Sequence, residues 1–148
     1  MPTRRAAEQE ALPARSESLL APVRAIFRAL VSTVVPEAVK LDAQSWAELE
    51  WLIDDTLRER PAALRRQLRW LLRAIEWLPV CRYGRPFTAL DVARRQGVLS
   101  YLQDHRLELV RTGFWGLRTL AFLGYYGRAR AQADIGYRAD RRGWGALP

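Results

Sequence analysis

Few side chains in this sequence of 148 residues can attack a substrate, exchange a proton near neutral pH or bind a transition metal. His105 is the only histidine and Cys81 is the only cysteine. A nucleophile needs a positioned base beside it, and a zinc site needs several histidine or cysteine ligands. A single cysteine also excludes a disulfide within the chain. We therefore expect no catalytic residue, no cofactor-binding residue and no metal ligand in this sequence.

The remaining reactive groups have ordinary structural explanations. His105 follows the predicted fourth helix, where a cation interacts favourably with the helix dipole. Asp54 and Asp55 are neighbours, so their side chains point about 100° apart on a helix and share no site. We predict that both lie on a solvent-facing surface. The sequence contains no G-x-x-x-x-G-K-[ST] phosphate loop, and no G-x-G-x-x-G motif follows a strand.

The chain is basic, with 24 lysine and arginine residues against 16 acidic residues and a net charge of +8. Residues 1–83 contribute +2 of this charge and residues 84–148 contribute +6. A basic surface is typical of proteins that bind nucleic acid or an acidic partner. Lys40 is the only lysine, and such a preference for arginine often reflects codon composition. A small helical nucleic-acid-binding module is therefore one candidate function.

Aromatic residues are abundant, with six tryptophans, five tyrosines and four phenylalanines. Trp46, Trp70 and Trp77 lie on or beside the apolar stripes of predicted helices, and we predict that they belong to the core. The last 34 residues combine aromatic side chains with arginines. This combination is enriched at protein interfaces, and it also suits single-stranded nucleic acid, whose bases stack on aromatic rings. Composition leaves both interpretations open for Trp115, Tyr125, Tyr126, Tyr137 and Trp144.

Apolar residues recur every three or four positions in five stretches, which predicts five helices and no strand. The first helix runs from about Ser18 to Val35 and carries Arg24 and Arg28 on its polar face. The second opens at Ser45, where the sequence SWAE is typical of a capping box. Its polar face is predicted to be acidic. The residues of that face are Glu48, Glu50, Asp54, Asp55 and Glu59.

Pro61 begins the third helix, because proline suits a first helical turn. The tight connection to the second helix favours an antiparallel hairpin with one acidic and one basic outer face. After an interruption at PVCRYGRP, the fourth helix starts at Thr88, with Asp91 completing a second capping box, and runs to about Asp104. The apolar stripe of the third helix comprises Leu64, Leu68, Leu71, Leu72, Ile75 and Leu78.

The fifth helix covers roughly Leu107 to Tyr126. No glycine precedes Gly84, so turns and close backbone approaches should concentrate in the second half of the chain. Three glycines at helical spacing in the fifth helix indicate the close approach of another helix or an extended segment. These glycines are Gly113, Gly116 and Gly124.

These elements predict an all-α fold, a single-domain bundle of about five helices at residues 18–126. We expect a flexible N-terminal tail at 1–17 and an irregular, extended C-terminal segment at 127–148 that packs on the domain or on a partner. No stretch reaches 18 apolar residues without a charge, and the N-terminus lacks the apolar stretch of a signal peptide. We therefore expect a cytoplasmic protein without a transmembrane segment.

The order of motifs in the second half is similar to that of a known family. FTALDVARRQGVLSYL fits the pattern F-x-x-L-x4-R-x3-L-x2-L, the fifth helix ends with LAFLGYYG, and an isoleucine-glycine-tyrosine signature follows in ADIGY. From about Leu19 to Tyr137 the chain resembles the small, gamma-type helical subunit of flavin-dependent gluconate and glucose dehydrogenases. It is also similar to the helical N-terminal region of long-chain alcohol oxidases. The fixed residues of the first pattern are Phe87, Leu90, Arg95, Leu99 and Leu102.

The resemblance implies a non-catalytic accessory subunit that binds and stabilises a larger flavoprotein of the glucose-methanol-choline oxidoreductase family. The FAD and the catalytic histidine would belong to that partner, so the assembly would be a cytoplasmic hetero-oligomer. Nucleic acid is then the less favoured partner. We expect the partner interface on the fifth helix and the segment after it. The candidate interface residues are Trp115, Tyr125, Tyr126, Ile135, Gly136, Tyr137 and Trp144.

Overall fold

The computed structural model describes residues 18–128, and five long helices occupy most of this range. They are α1 (Arg24–Val34), α2 (Ala43–Arg58), α3 (Ala62–Trp77), α4 (Val92–Gln103) and α5 (Glu108–Tyr126). Short 3-10 helices cover Ala21–Val23, Pro36–Lys40 and Phe87–Ala89, and a single α-helical turn covers Val80–Tyr83. Residues 18–128 contain no strand, so the predicted all-α fold is confirmed. The predicted N-terminal tail, and all but Gly127 and Arg128 of the predicted C-terminal segment, lie outside the described residues.

The first helix starts later than its apolar pattern indicates. The pattern predicts a start near Ser18, whereas α1 begins at Arg24 and the 3-10 helix Ala21–Val23 precedes it. Pro22 lies in this first turn, which a 2.9 Å bond from the Val23 N–H to the Leu20 carbonyl closes with the i, i+3 spacing of a 3-10 helix.

Aspartates cap both α2 and α4, which corrects the predicted starts of these helices. The Asp42 carboxylate accepts the Ser45 N–H at 2.7 Å, so α2 begins upstream of Ser45 and the predicted cap there is wrong. The Asp91 carboxylate accepts the Arg94 N–H at 2.9 Å in the same way. Thr88, the predicted start of α4, lies in a 3-10 helix instead. Aspartate and serine are about equally good caps, so the residue types do not distinguish the two positions.

The third helix begins at Ala62, one residue after the predicted start, and Pro61 is its N-cap with a non-helical ψ of 144°. The interruption after α3 contains the single turn Val80–Tyr83, which the prediction missed. Gly84 ends this turn with φ +66°, a left-handed conformation that glycine adopts without steric cost. Two leucines of the predicted α3 stripe, Leu64 and Leu78, are exposed rather than buried. The helix is therefore covered by the rest of the protein along a narrow strip only.

Among the described elements, α5 packs against all four other long helices. A methyl group at Gly124 would lie 3.0 Å from the Leu49 side chain of α2, and one at Gly113 would lie 2.8 Å from Leu71 of α3. The predicted close approach is therefore confirmed at these two glycines. It is wrong at Gly116, where an added methyl group would meet nothing within 4 Å.

Phenylalanine and aliphatic side chains fill the core, and tryptophan does not. Phe27 of α1, Phe87 before α4 and Phe114 of α5 are almost completely enclosed. Trp70 and Trp77 of α3 are 69% and 64% exposed, so the prediction that they belong to the core is wrong. The third tryptophan with this prediction, Trp46, is half-buried. The third helix turns a different face inward from the one its tryptophans occupy.

A buried polar contact, here called the polar seam, joins α2 to α1 and to the turn before it. The two carboxylate oxygens of Glu50 lie 3.0 Å from Arg24 Nε and 2.5 Å from Arg28 Nε. One helical turn later, Asp54 Oδ1 accepts the backbone N–H of Leu20 at 3.1 Å. Both carboxylates are buried, so their predicted place on a solvent-facing surface is wrong. From Glu50 to Asp54 the contacts advance along α2, while on the other side they go back from Arg28 to Leu20. The two helices are therefore antiparallel.

We predict that Asp54→Ala lowers the free energy of unfolding by about 1–3 kcal/mol, because the buried Leu20 N–H loses its acceptor. The neighbouring Asp55 is exposed, and Asp55→Ala should change the free energy by no more than about 0.5 kcal/mol. Urea unfolding followed by circular dichroism measures both variants. Equal effects from the two substitutions would contradict the polar seam.

A second pair of variants tests the packing of α5. Gly124→Ala should cost roughly 1 kcal/mol net, because overpacking against the buried Leu49 outweighs the gain in helix propensity. Gly116→Ala has open space around it and should stabilise the protein by about 0.5–1 kcal/mol. Thermal unfolding compares the two, and a higher melting temperature for Gly124→Ala would show that α2 and α5 are not closely packed there.

Candidate partner interface

The aromatic stripe of α5 comprises Trp115, Phe122 and Tyr126. Their spacing places them within about 40° of one another around the helix axis, at 100° per residue. The buried Leu117 and Ala121 project from the opposite side of the helix. Trp115 is 45% exposed, Tyr126 is 40% exposed and Phe122 is half-buried. Trp115 and Tyr126 therefore face solvent, whereas Phe122 also packs against the core.

Arg118 holds two rings of the aromatic stripe in place. Its guanidinium carbon lies 5.0 Å from the centre of the Trp115 ring and 5.6 Å from the centre of the Phe122 ring. Its Nη1 donates to Gln103 Oε1 of α4 at 3.1 Å, which fixes the guanidinium. Cation–π contacts of this kind contribute about 0.5–1 kcal/mol each at exposed sites. These contacts restrict the orientations of the Trp115 and Phe122 rings.

The end of α5 is a cluster of aromatic contacts. The Phe122 and Tyr126 rings stack with their centres 6.1 Å apart, and Tyr125 meets Tyr126 edge-on at 5.0 Å. The Arg128 guanidinium lies 4.8 Å from the centre of the Tyr125 ring, and its Nε donates to the Tyr125 carbonyl at 3.1 Å. The structure therefore brings the half-buried Tyr125 and the exposed Tyr126 together at the C-terminal end of the stripe.

The candidate interface of the sequence is described only in part. Trp115, Tyr125 and Tyr126 lie on α5, and the stripe contains two of them. Sequence reasoning missed Phe122, although its spacing of seven residues from Trp115 indicates a shared helix face. The other candidates lie outside the described residues, and their role stays a prediction. They are Ile135, Gly136, Tyr137 and Trp144.

The motif F-x-x-L-x4-R-x3-L-x2-L forms the corner between α3 and α4. Arg95 Nε donates to the Phe87 carbonyl at 3.1 Å, and one Nη of Arg95 donates to the Thr88 carbonyl at 2.6 Å. The same guanidinium lies 5.7 Å from the centre of the Phe87 ring. The apolar residues of the motif are all buried, so the pattern determines a fold element. They are Phe87, Leu90, Leu99 and Leu102.

Glu76 of α3 ties this corner to the helix before it. Its Oε2 accepts the Thr88 backbone N–H at 3.1 Å, and its Oε1 accepts the Thr88 hydroxyl at 2.6 Å. Two charge-assisted hydrogen bonds to one residue fix the position of the 3-10 helix against α3. Both oxygens of the Glu76 carboxylate are therefore hydrogen-bonded within the protein.

His105 and Cys81 carry the most reactive side chains of residues 18–128, and they lie on different segments of the fold. His105 Nδ1 accepts the Leu107 N–H at 3.1 Å, and the ring meets Tyr101 edge-on at 5.2 Å, so His105 closes the turn before α5. Cys81 is exposed on the single helical turn. No group of three histidine, cysteine or acidic side chains in residues 18–128 is placed to hold a metal ion. Across the same range, every helix is too short or too polar to span a bilayer.

Two shallow clefts lie near α1. One, of about 370 Å³, runs along residues 21–28. The other, of about 300 Å³, lies between α1 and α4 and reaches α5 at Arg118. Hydroxyl, amide, guanidinium and apolar groups line them.

The chain is thus a small helical protein whose most extensively packed helix, α5, carries the aromatic stripe. The family model described as gluconate 2-dehydrogenase subunit 3 matches residues 21–139. The chain belongs to this family, which confirms the resemblance of its motifs. Comparisons with curated proteins and with solved structures found no match.

We predict that the family motif acts through stability. Arg95→Ala should lower the free energy of unfolding by about 2 kcal/mol, because two carbonyls lose a charged donor. Arg94 pairs with Asp91 on the surface, at 3.5 Å, and Arg94→Ala should cost less than about 1 kcal/mol. Chemical unfolding of both variants measures the difference. If Arg95→Ala unfolds like the unmodified chain, the corner does not depend on this guanidinium.

Proposed function

We propose that this chain is a non-catalytic accessory subunit that binds and stabilises a larger FAD-dependent alcohol or sugar oxidoreductase subunit. The observation that carries the proposal is the aromatic stripe on α5 in a chain of the gluconate 2-dehydrogenase subunit 3 family. A dehydrogenase subunit implies a larger partner. In the cytoplasmic hetero-oligomer that we propose, FAD and the catalytic groups belong to that partner.

The physical character of the stripe supports a protein partner. Tryptophan, tyrosine and arginine dominate the hot spots of protein interfaces, because their large side chains displace much water with few rotatable bonds. Trp115 and Tyr126 expose two such side chains on a rigid helix, and Arg118 orders the first of them. Ordering before association reduces the entropy lost on binding. We propose that Ile135, Gly136, Tyr137 and Trp144 extend this surface beyond α5.

The arginines beside the stripe argue against nucleic acid as the partner. A groove for single-stranded nucleic acid combines stacking rings with guanidinium groups that are free to meet phosphates. Arg118 instead donates to Gln103 and lies between two rings. Arg128 is buried and donates to the Tyr125 carbonyl. The cations nearest the stripe are thus engaged within the protein, which favours a protein surface as its partner.

Co-expression with its large flavoprotein subunit tests the proposed function. We predict that the two chains elute together in size-exclusion chromatography and that the complex shows flavin absorbance, whereas the chain purified alone shows none. Stoichiometric flavin on the isolated chain would contradict the proposal, and so would separate elution of the two subunits.

Substitutions in the aromatic stripe test whether it contacts the large subunit in the same experiment. Trp115→Ala and Tyr126→Ala should each weaken the complex by about 2 kcal/mol, the usual size of a hot-spot effect. Tyr101→Ala removes another exposed ring, on α4, and serves as the control that should leave the affinity unchanged. A loss of affinity from Tyr101→Ala equal to that from the stripe variants would place the interface elsewhere.

A further inference from the structure

The outer face of α3 presents a second aromatic surface, here called the α3 ridge, which comprises Arg66, Trp70, Arg73 and Trp77. At 100° per residue these four positions fall within about 60° of one another, and they lie opposite the buried Leu72. The ridge is about 16 Å long at 1.5 Å per residue. All four residues are exposed, and the two tryptophans are among the most exposed apolar side chains of residues 18–128.

Nothing in the fold accounts for the charge on this ridge. The only carboxylate of α3 is Glu76, and Thr88 takes both of its oxygens. Within the described range, neither Arg66 nor Arg73 has an ion pair or a side-chain hydrogen bond, and the Arg73 guanidinium carbon lies 5.9 Å from the centre of the Trp70 ring. The arginines of α1, by contrast, meet Glu50 in the polar seam. The ridge therefore presents two unpaired guanidinium groups and two large rings to a partner.

Charge decides among the possible occupants of the ridge. Residues 129–148 carry four arginines against two aspartates, so like charges oppose their docking on it. Residues 1–17 carry no net charge, with three arginines and three glutamates. A second copy would place arginine against arginine if the two helices were parallel, and Arg66 against Trp77 if they were antiparallel. Neither arrangement offers a carboxylate to the guanidinium groups. A separate chain with carboxylates on its surface complements the ridge.

We propose that the α3 ridge docks on a carboxylate-bearing surface of the large dehydrogenase subunit, with Trp70 and Trp77 in apolar depressions and Arg66 and Arg73 paired with acidic side chains. This inference rests on the proposed function and adds a second contact surface to the aromatic stripe of α5. Guanidinium groups bind carboxylates in a bidentate way, and desolvated tryptophan and arginine form the centres of stable interfaces. The ridge is smaller than the roughly 800 Å² that each side of a standard interface buries, so it is the centre of a larger contact.

The test uses the full chain and the purified large flavoprotein subunit, with affinity measured by titration calorimetry at low and high salt. Trp70→Ala with Trp77→Ala should weaken binding at least 30-fold, which corresponds to a hot-spot loss of about 2 kcal/mol. Arg66→Glu with Arg73→Glu should weaken it at least tenfold at low salt, and less at high salt because mobile ions screen the repulsion. All four positions are exposed, so circular dichroism should stay unchanged.

Trp51→Ala is the matched control, because Trp51 of α2 is 61% exposed and lies outside the ridge. It should bind like the unmodified chain. If the unmodified chain fails to bind the large subunit, the proposed function is wrong and the ridge has no such partner. If it binds and the ridge variants bind equally well, the ridge assignment is wrong while the proposed function stands.

Three further measurements would overturn the ridge assignment by giving it another occupant. One is binding to phosphatidylglycerol vesicles that the ridge substitutions abolish. Another is ridge-dependent binding to a single-stranded oligonucleotide at physiological salt. The third is ridge-dependent self-association in analytical ultracentrifugation. Absence of all three, together with weaker binding of the ridge variants to the large subunit, supports the assignment.

Discussion

The close approach of α5 to its neighbours is the constraint on which the rest of this structure depends. One helix contacts four others, so its inward positions must be small where a side chain of a neighbouring helix comes near. Gly113 meets Leu71 of α3, and Gly124 meets Leu49 of α2. These contacts fix the rotation of α5 about its axis. Because that rotation is fixed, Trp115 and Tyr126 of the aromatic stripe face solvent, and Phe122 packs partly against the core.

Polar groups then fix the contacts in which α5 takes no part, namely those among the other helices and the short segments before them. Glu50 and Asp54 hold α1 and the turn before it against α2, and Glu76 and Arg95 hold the corner between α3 and α4. In each case a charged side chain satisfies backbone groups or opposite charges that packing would otherwise leave without partners. These four charged side chains thus stabilise the fold, although their residue types are also those of catalytic groups. The unpaired arginines of the α3 ridge differ from them in this respect.

Hydrophobic periodicity predicts the number of long helices and the bounds of α5 almost to the residue, because a long run of apolar residues at helical spacing leaves little choice of where the helix begins and ends. It does not predict which acidic residues are buried, since Glu50 acquires its partners only when α1 and α2 come together. The misplaced tryptophans have a different cause. Trp70 and Trp77 lie on the side of α3 opposite its buried leucine and isoleucine residues, so the helix phase at 100° per residue already places them outward. The prediction followed the apolar character of tryptophan rather than its position around the helix. The aromatic stripe was predictable in part, from the types of Trp115 and Tyr126, whereas Phe122 required the helix phase.

The two kinds of large aromatic residue are used differently in residues 18–128, and this bears on where partners bind. Phe27, Phe87 and Phe114 are enclosed in the core, whereas tryptophans are exposed on α2, α3 and α5. A buried indole N–H needs an acceptor, which an apolar core does not supply, so phenylalanine is the better core residue. An exposed indole leaves a large apolar ring in water, and at Trp115 and Trp70 the fold gains only a cation–π contact with a neighbouring arginine. The tryptophans of α5 and α3 lie beside arginines of two kinds, because Arg118 is hydrogen-bonded within the protein whereas Arg73 has no ion pair. This difference favours two contacts of different electrostatic character, with Trp51 of α2 outside both. The α5 stripe suits a largely apolar surface, and the α3 ridge suits an acidic one.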